Sequence, residues 1–508
     1  MREPAGETRR APAVRIVALA YVLVAVAVRV VTIFRWSYNS DEPQHLHVAW
    51  QWSRGLVAYR DVYDNHLPLF HLLVAPWIAA VGETPHILFY ARLLMIPLVL
   101  AILVLTWMLA GELYDSTLAW WATFAAAVSP PMLRPTVEFR NDVLWLLLLL
   151  IALLLFFRER RFLAGIVLGA ALMVSIKTAP FAMAIALAVI VARYGSLVPL
   201  IAGSVIVPAI VTAFFAFHGA ADDMFRWSVF ANGAMPVEPS RRMAGVISCI
   251  VLSGIAIWFA RRSSRGKRLV AALIAVFHIA LFVAMSPLIG PRDFLPVYPI
   301  GFIFLFAFLA PRRRHLVACL LVPIALGEAR LWQPPSRYYP QIVADALRFT
   351  APGDPVFDRK GEMVFRRRAT YLALESVSQR RLAAGELQDT IAADIVAARA
   401  YAALRDSARI PPESRAFLNR YFVPVSAIRV AGQHIRGDGT FEIAVPGSYT
   451  VVRDGRIVVP ARWYAAGTYR GPTGAIALWS DVVRRSGDLQ ALLMPLDKDE
   501  SVLDITGK

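Results

Sequence analysis

The stretch EFRNDVLWLLLLLIALLLFFRERR, Glu138–Arg161, decides the fold class. From Val143 to Phe157 it carries no charged residue, so it reads as a helix that crosses, or nearly crosses, a bilayer. Glu138, Arg140 and Asp142 stand at one mouth, and the basic cluster FRERRF (157–162) stands at the other. Basic clusters stay on the cytoplasmic side, so the acidic mouth faces outward. Charge beside a span is costly to keep there, and function is the default reason for it. Asp142, at the outer start of the run, is therefore a candidate site residue.

Outward from this stretch the pattern repeats. The chain has 508 residues, of which 58% are apolar and 18% charged. Its mean hydropathy of +0.55 excludes an ordinary set of soluble domains. At roughly 20 residues per crossing, about eleven spans are expected before Gln333. They fall at 13–34, 86–110, 117–133, 141–157, 162–176, 178–193, 197–217, 243–260, 269–286, 294–310 and 315–331. The first, which lacks a small-residue cleavage pattern, reads as a retained helix and not a signal peptide. Most of the formal net charge of +17 lies in this half. Its clusters (Arg2, Arg9 and Arg10; 157–162; 261–268; 311–315) read as cytoplasmic anchors and not as a nucleic-acid surface. Together they predict a cytoplasmic N-terminus and an outer C-terminus. The cysteines, Cys249 and Cys319, sit in apolar runs and offer neither a disulfide framework nor a metal site.

Two segments differ from the spans. Residues 35–85 form a polar first outer loop, and residues 333–508 form a second domain, mixed α/β and soluble, on the outer face. Within that domain a Pro-rich linker leads to a helix, then Pro-Gly-Asp turn chemistry precedes a short strand. Residues 375–420 read as helical. From Arg420 onward short β-rich runs alternate with Gly-Asp turns, the pattern of hairpins. The expected architecture is thus a mainly α polytopic domain over 1–332 followed by the α/β domain.

By this topology the ionisable residues outside the anchors gather at the outer face. They are Asp41 and Glu42 after the first span, Arg60, Asp61, Asp64 and His66 in the loop, then Glu138, Arg140, Asp142, Lys177, Arg292 and Asp293. Acids and cations together at a bilayer surface suit a phosphate-bearing substrate. The bland readings are also physical. Asp41, before Pro43, suits a helix start, where an acid is favoured. Lys177 and Arg134 can snorkel, and Trp50, Trp52, Trp77, Trp120 and Trp121 fit an interfacial belt. A divalent metal held by Asp41, His45 and His66 is compatible with the ligand types, although isolated histidines near an interface are mostly just hydrogen-bonded.

Trp52-Ser53-Arg54-Gly55, then Tyr59-Arg60-Asp61-Val62-Tyr63, Pro68 and Leu69, following the Asp41-Glu42 pair, resemble the first loop of the GT-C glycosyltransferases. These are relatives of the protein O-mannosyltransferases and the lipid A aminoarabinose transferase. Asp142 and Ser175-Ile176-Lys177-Thr178 are weaker matches, and the resemblance spans about residues 13–310. It implies a GT-C fold and transfer of a sugar from a polyprenyl-phosphate donor to a lipid, glycan or protein acceptor, on the periplasmic side of a bacterial inner membrane. It implies inversion, with Asp41 as the base and Glu42 and Asp142 beside it. Arg60, Asp61, His66, Lys177 and Arg292 would serve donor phosphate and sugar. The competing readings are a transporter of a lipid-linked sugar and a non-catalytic envelope-assembly protein. The lack of internal repeats and the one-sided polar residues weigh against transport.

Overall fold

The structure is a computed structural model that describes residues 7–231, 266–286, 289–328, 337–405 and 407–493, with isolated helical positions between 239 and 254. Most of the span expected at 243–260, most of the basic cluster at 261–268, Cys249 and most of the Pro-rich linker lie outside the described residues. The chain divides into two compact units.

The first unit comprises Met1–Ser37, Asn65–Phe70 and Phe89–Pro335. Helices stand at the expected apolar runs: α1 (Glu7–Arg35), α4 (Ile87–Leu113), α5 (Ser116–Val128), α6 (Pro130–Val137), α7 (Asn141–Phe157), α8 (Arg161–Val174), α9 (Thr178–Ala192), α10 (Val198–Phe217), α11 (Lys267–Met285), α12 (Val297–Phe308) and α13 (Pro311–Glu328). The run at 117–133 is broken where Ser129 precedes Pro130 and Pro131, and a separate short helix follows. Among the described residues three helices, α4, α10 and α11, are long and apolar enough to cross a membrane. The apolar helices α5, α7, α8, α9 and α12 are shorter than 18 residues. Leu19, Leu23, Val104, Val205, Ile210 and Phe217 face outward from these helices. Outward-facing apolar side chains on successive helices suit lipid and not water.

Helix packing inside this unit depends on small residues. A Cβ on Gly165 of α8 would lie 2.2 Å from the Leu200 carbonyl oxygen, and one on Gly203 of α10 would lie 2.2 Å from that of Phe162. The two backbones approach closely because neither position carries a side chain. Helices α1, α12 and α13 pack on α5, and α11 packs on α9. Arg92 of α4, fully buried, closes the end of α1: it donates to the carbonyls of Ile33 (2.9 Å), Trp36 (2.9 Å) and Ser37 (3.1 Å).

The second unit comprises Tyr38–Asp64, His71–Leu88 and Ser336–Lys508, so most of the first loop folds with the C-terminal residues. It contains α2 (Asp41–Ser53), most of α3 (Leu69–Val81) and the helices α14 (Tyr338–Phe349), α15 (Ser376–Ala383), α16 (Ile391–Ala398) and α17 (Pro412–Tyr421). Among the described residues the strands, in chain order, are β1 (Pro355–Phe357), β2 (Arg367–Arg368), β3 (Ala402–Leu404), β4 (Phe422–Val425), β5 (Ile428–His434), β6 (Thr440–Ile443), β7 (Gly447–Arg453), β8 (Arg456–Tyr464), β9 (Gly467–Arg470) and β10 (Ile476–Trp479). The main sheet runs β2-β1-β3-β5-β10-β7-β8, with β4 also paired to β5, while β6 and β9 form a separate pair. The helical reading of 375–420 holds only in part. Ala402-Ala403-Leu404 is a strand, parallel to β1 and antiparallel to β5, and fully covered. Burial between two strands here overrides the helix preference of Ala and Leu. The core gathers Ile342, Phe349, Val356, Val430, Tyr449 and Leu478.

Candidate active site

The candidate residues divide between the two units. Asp41, Glu42, His45, Arg60 and Asp61 belong to the second; His66, Asp142, Lys177 and Arg292 belong to the first.

In the second unit, α2 begins at Asp41, and Pro43 fits the first turn where an N–H is not needed. The capping is done by Glu42 and Asn39: the Glu42 carboxylate accepts the Asn39 backbone N–H at 2.8 Å, and the Asn39 side chain accepts that of Asp41 at 3.1 Å. The Asp41 carboxylate, a quarter exposed, meets the ammonium of Lys360. The helix-start reading therefore describes Glu42, and the Asp41 side chain does something else. Positions 42–51 behind it are all buried.

His45 and His47 serve different partners. His45 Nδ1 lies 2.8 Å from His71 Nε2, and His71 Nδ1 lies 2.9 Å from the Asp64 carboxylate, all three side chains being sealed from solvent. His47 donates from Nδ1 to the Val364 carbonyl (2.9 Å) and accepts the Gln51 amide at Nε2. Burial, with the Arg368 charge, pushes the His47 pKa down to about 3. Among the described residues no three His, Cys, Asp or Glu side chains form a group that could hold a metal ion, so Asp41, His45 and His66 do not assemble as one.

Arg60 grips its neighbour Asp61 through two nitrogens, at 2.9 and 2.8 Å. Asp61 also accepts the Val57 N–H at 2.9 Å, and these bonds hold its carboxyl below the usual range. The turn is tight: Tyr59 has φ of +68° and is buried, and its carbonyl accepts the Tyr371 hydroxyl. Further along, the Tyr63 hydroxyl donates to Glu375 at 3.1 Å, and Arg366 pairs with Glu83 at 3.0 Å.

In the first unit the expected phosphate cations already hold acids. Asp142, in the first turn of α7 and 1% exposed, takes Arg140 at 3.0 Å and Lys177 at 2.9 Å. Lys177, just before α9, also reaches Asp293 at 2.8 Å. Arg292 donates to both oxygens of the buried Glu138, at 2.7 and 2.5 Å. Two further bonds tie α7 to the segment around Lys177: Asn141 donates to the Val174 carbonyl and Trp145 Nε1 to Thr178 Oγ1. His66 is half-buried in this unit. Asp142 is thus a buried, doubly paired carboxylate whose arrangement suits holding a lysine and not receiving a proton. Sequence reasoning missed Lys360 as the partner of Asp41 and His71 as the partner of His45. The dense charge in DRKGEMVFRRR (358–368) was the visible signal for the first.

No protein-family model matches the chain, and no curated protein sequence matches it. Solved structures do. ArnT from Cupriavidus metallidurans in the apo state aligns with a TM-score of 0.59 at 13% identity, over 81% of this chain and 97% of that one. The same protein bound to undecaprenyl phosphate gives 0.48 at 16% identity, over 65% and 69%. The archaeal oligosaccharyltransferase AglB from Archaeoglobus fulgidus, in complex with an inhibitory peptide and a dolichol-phosphate, gives 0.39 at 10%, over 93% and 77%. The fold assignment rests on the first alignment: the chain has the GT-C fold that its first loop resembles.

Proposed function

We propose that the chain is a membrane glycosyltransferase that moves a monosaccharide from a polyprenyl-phosphate donor to an acceptor hydroxyl, with inversion and with Asp41 as the base. The observation that carries this reading is the Asp41 carboxylate, which stands partly exposed at the head of a helix otherwise buried from 42 to 51. A rigid helix start can bring a carboxylate within hydrogen-bond distance of a hydroxyl and keep it there. The shared fold with ArnT supports the class, and the undecaprenyl phosphate in one ArnT structure suggests the carrier type.

In the proposed step the acceptor oxygen attacks the anomeric carbon as its proton passes to Asp41. The bond from that carbon to the phosphate oxygen breaks, and polyprenyl phosphate leaves with the electron pair. The leaving phosphate needs fixed cations, supplied by Lys177, Arg292 and Arg60. An ammonium has three donors, and Lys177 commits two to Asp142 and Asp293, so a phosphate oxygen can take the third. Arg292 holds Glu138 through Nη2 and retains Nε and Nη1 for an incoming anion. Asp61 and His66 are assigned to the sugar. The protein sits in a bacterial inner membrane with its N-terminus cytoplasmic and residues 333–508 periplasmic.

The test is transfer of labelled sugar from polyprenyl-phosphate donors by the purified protein. Asp41→Asn should lower turnover by about 10²–10⁴, the range of general-base catalysis. Full turnover in Asp41→Asn would remove the base, and sugar-lipid movement across liposomes without transfer would replace the enzyme with a transporter.

A further inference from the structure

We infer that Lys360 is a positioning residue for the Asp41 carboxylate, and that the segment Asp358–Met363 is a clamp built to present it. The inference rests on the proposed role of Asp41 and adds to it a second residue, 319 positions away in sequence.

The Lys360 side chain is only 4% exposed and its ammonium donates to Asp41 Oδ1. A lysine buried to that degree is retained only when a carboxylate and good geometry compensate for lost water. The geometry is fixed from both sides. The Asp358 carboxylate accepts the backbone N–H of Gly361 at 2.8 Å and of Met363 at 2.9 Å. Glu362 accepts the Lys360 N–H and the Arg359 guanidinium, each at 2.9 Å. Arg359 continues to the Tyr38 hydroxyl at 3.1 Å, three residues before Asp41. The backbone N–H groups of Lys360, Gly361 and Met363 are thereby tied down.

Gly361 is an independent observation. Its φ is +104°, a conformation side chains rarely adopt, and a Cβ there would lie 2.4 Å from the Cβ of His47 on α2. The loop is pressed against the helix that begins with Asp41, closer than any other residue type allows. Such contact has a use if the loop must deliver Lys360 to a defined point. Holding Oδ1 fixes the carboxylate rotamer and keeps a positive charge beside the atom that takes the acceptor proton, as an electrostatic frame present before substrate arrives.

Two readouts on full-length detergent-purified protein test this. The first needs no activity: a water-soluble carbodiimide should join Lys360 to Asp41 as a zero-length amide, found by mass spectrometry in the wild type and absent in Lys360→Arg. Failure to find that cross-link overturns the clamp. The second uses a set of undecaprenyl-phosphate monosaccharides with envelope lipid extract as acceptor. Lys360→Met should lower kcat about 10–100-fold, the cost of slight misplacement of a catalytic group, with donor KM changed little. Lys360→Arg should recover most of the loss. Wild-type kcat in Lys360→Met overturns the inference alone if Asp41→Asn is inactive; an active Asp41→Asn overturns the base assignment as well. A rise in kcat in Lys360→Met would make the lysine a restraint on the base, which also overturns the inference.

Discussion

Lys177→Met is the sharpest perturbation of the first unit. The ammonium bridges Asp142 at 2.9 Å and Asp293 at 2.8 Å, and Asp142 is 1% exposed. At an effective dielectric near 20, each contact is worth about 5 kcal/mol before desolvation. Removing one partner of such a pair typically costs about 3–5 kcal/mol, because a carboxylate stays behind without its counterion. Here Arg140 still faces Asp142 at 3.0 Å and Lys177 itself is a quarter exposed, so the lower end, about 3 kcal/mol, is expected. With an unfolding entropy of about 2.1 cal/mol/K per residue over 508 residues, this is about 1 °C per kcal/mol, so the midpoint of thermal unfolding should fall by about 3 °C. The assay is unfolding of the full-length protein in detergent at neutral pH. Lys177→Arg should keep most of the stability, since a guanidinium can also span two carboxylates. Adding Asp293→Asn to Lys177→Met should regain part of the loss, because the two sites share one network. A midpoint for Lys177→Met within about 0.5 °C of wild type would refute the bridge; at about 1 °C per kcal/mol such a shift leaves about 0.5 kcal/mol for two contacts.

Three further outcomes are expected. His47 titrates near 3 in the folded chain against 6.5 unfolded, so the unfolded state binds more protons between those values. Its contribution is complete above pH 6.5 and is lost as pH falls, by at most about 1.4 kcal/mol per unit; His47→Asn should flatten that acid limb in denaturant titrations. Arg292→Met removes the Nη2 contacts to the sealed Glu138, which keeps Arg134 at 3.7 Å, and should cost about 3 kcal/mol, the lower end for a buried pair, with Arg292→Lys intermediate, measured by thermal unfolding. Gly203→Leu should prevent the close approach of α8 and α10 and lower the yield of folded protein in fluorescence size-exclusion chromatography, whereas Gly111→Leu, where a Cβ meets nothing within 4 Å, should not.

The helices were legible where apolar length alone decides. Residues 141–157 have the same limits in sequence and structure, because charges bound the run at both ends. The break at Ser129-Pro130-Pro131 was written in the proline chemistry but is easily read through when hydropathy is averaged. Strand β3 was not legible, since Ala402-Ala403-Leu404 becomes a strand only through its neighbours β1 and β5. The site followed the same division. Asp41, Lys177 and Arg292 stood out as charges beside spans. Their partners did not, because Lys360 meets Asp41 across 319 residues and Arg292 meets Glu138 across 154. Sequence spacing carries no trace of such pairs. His45 was weighed with Asp41 and His66 as a metal ligand, while its partner is His71 on α3.

The pairing changes what the acids mean. A cation meant for a phosphate must persist before the phosphate arrives, and beside a bilayer an uncompensated Lys or Arg is expensive. Glu138 for Arg292, and Asp142 with Asp293 for Lys177, meet that requirement and set each cation's direction. An acid near a span is therefore as easily a counterion as a catalyst, and residue type cannot separate the two. Burial and pairing do. Glu138 and Asp142 are sealed and spoken for by cations, which makes them poor proton acceptors for an incoming hydroxyl. Glu42 is sealed as well and caps its helix. Asp41 differs: its carboxylate is ion-paired with Lys360 yet a quarter open to solvent, which is the access the proposed base needs. Of the three acids assigned to catalysis from sequence, Asp41 is the one whose surroundings suit the proposed base, while Glu42 and Asp142 are sealed and committed to the bonds already described.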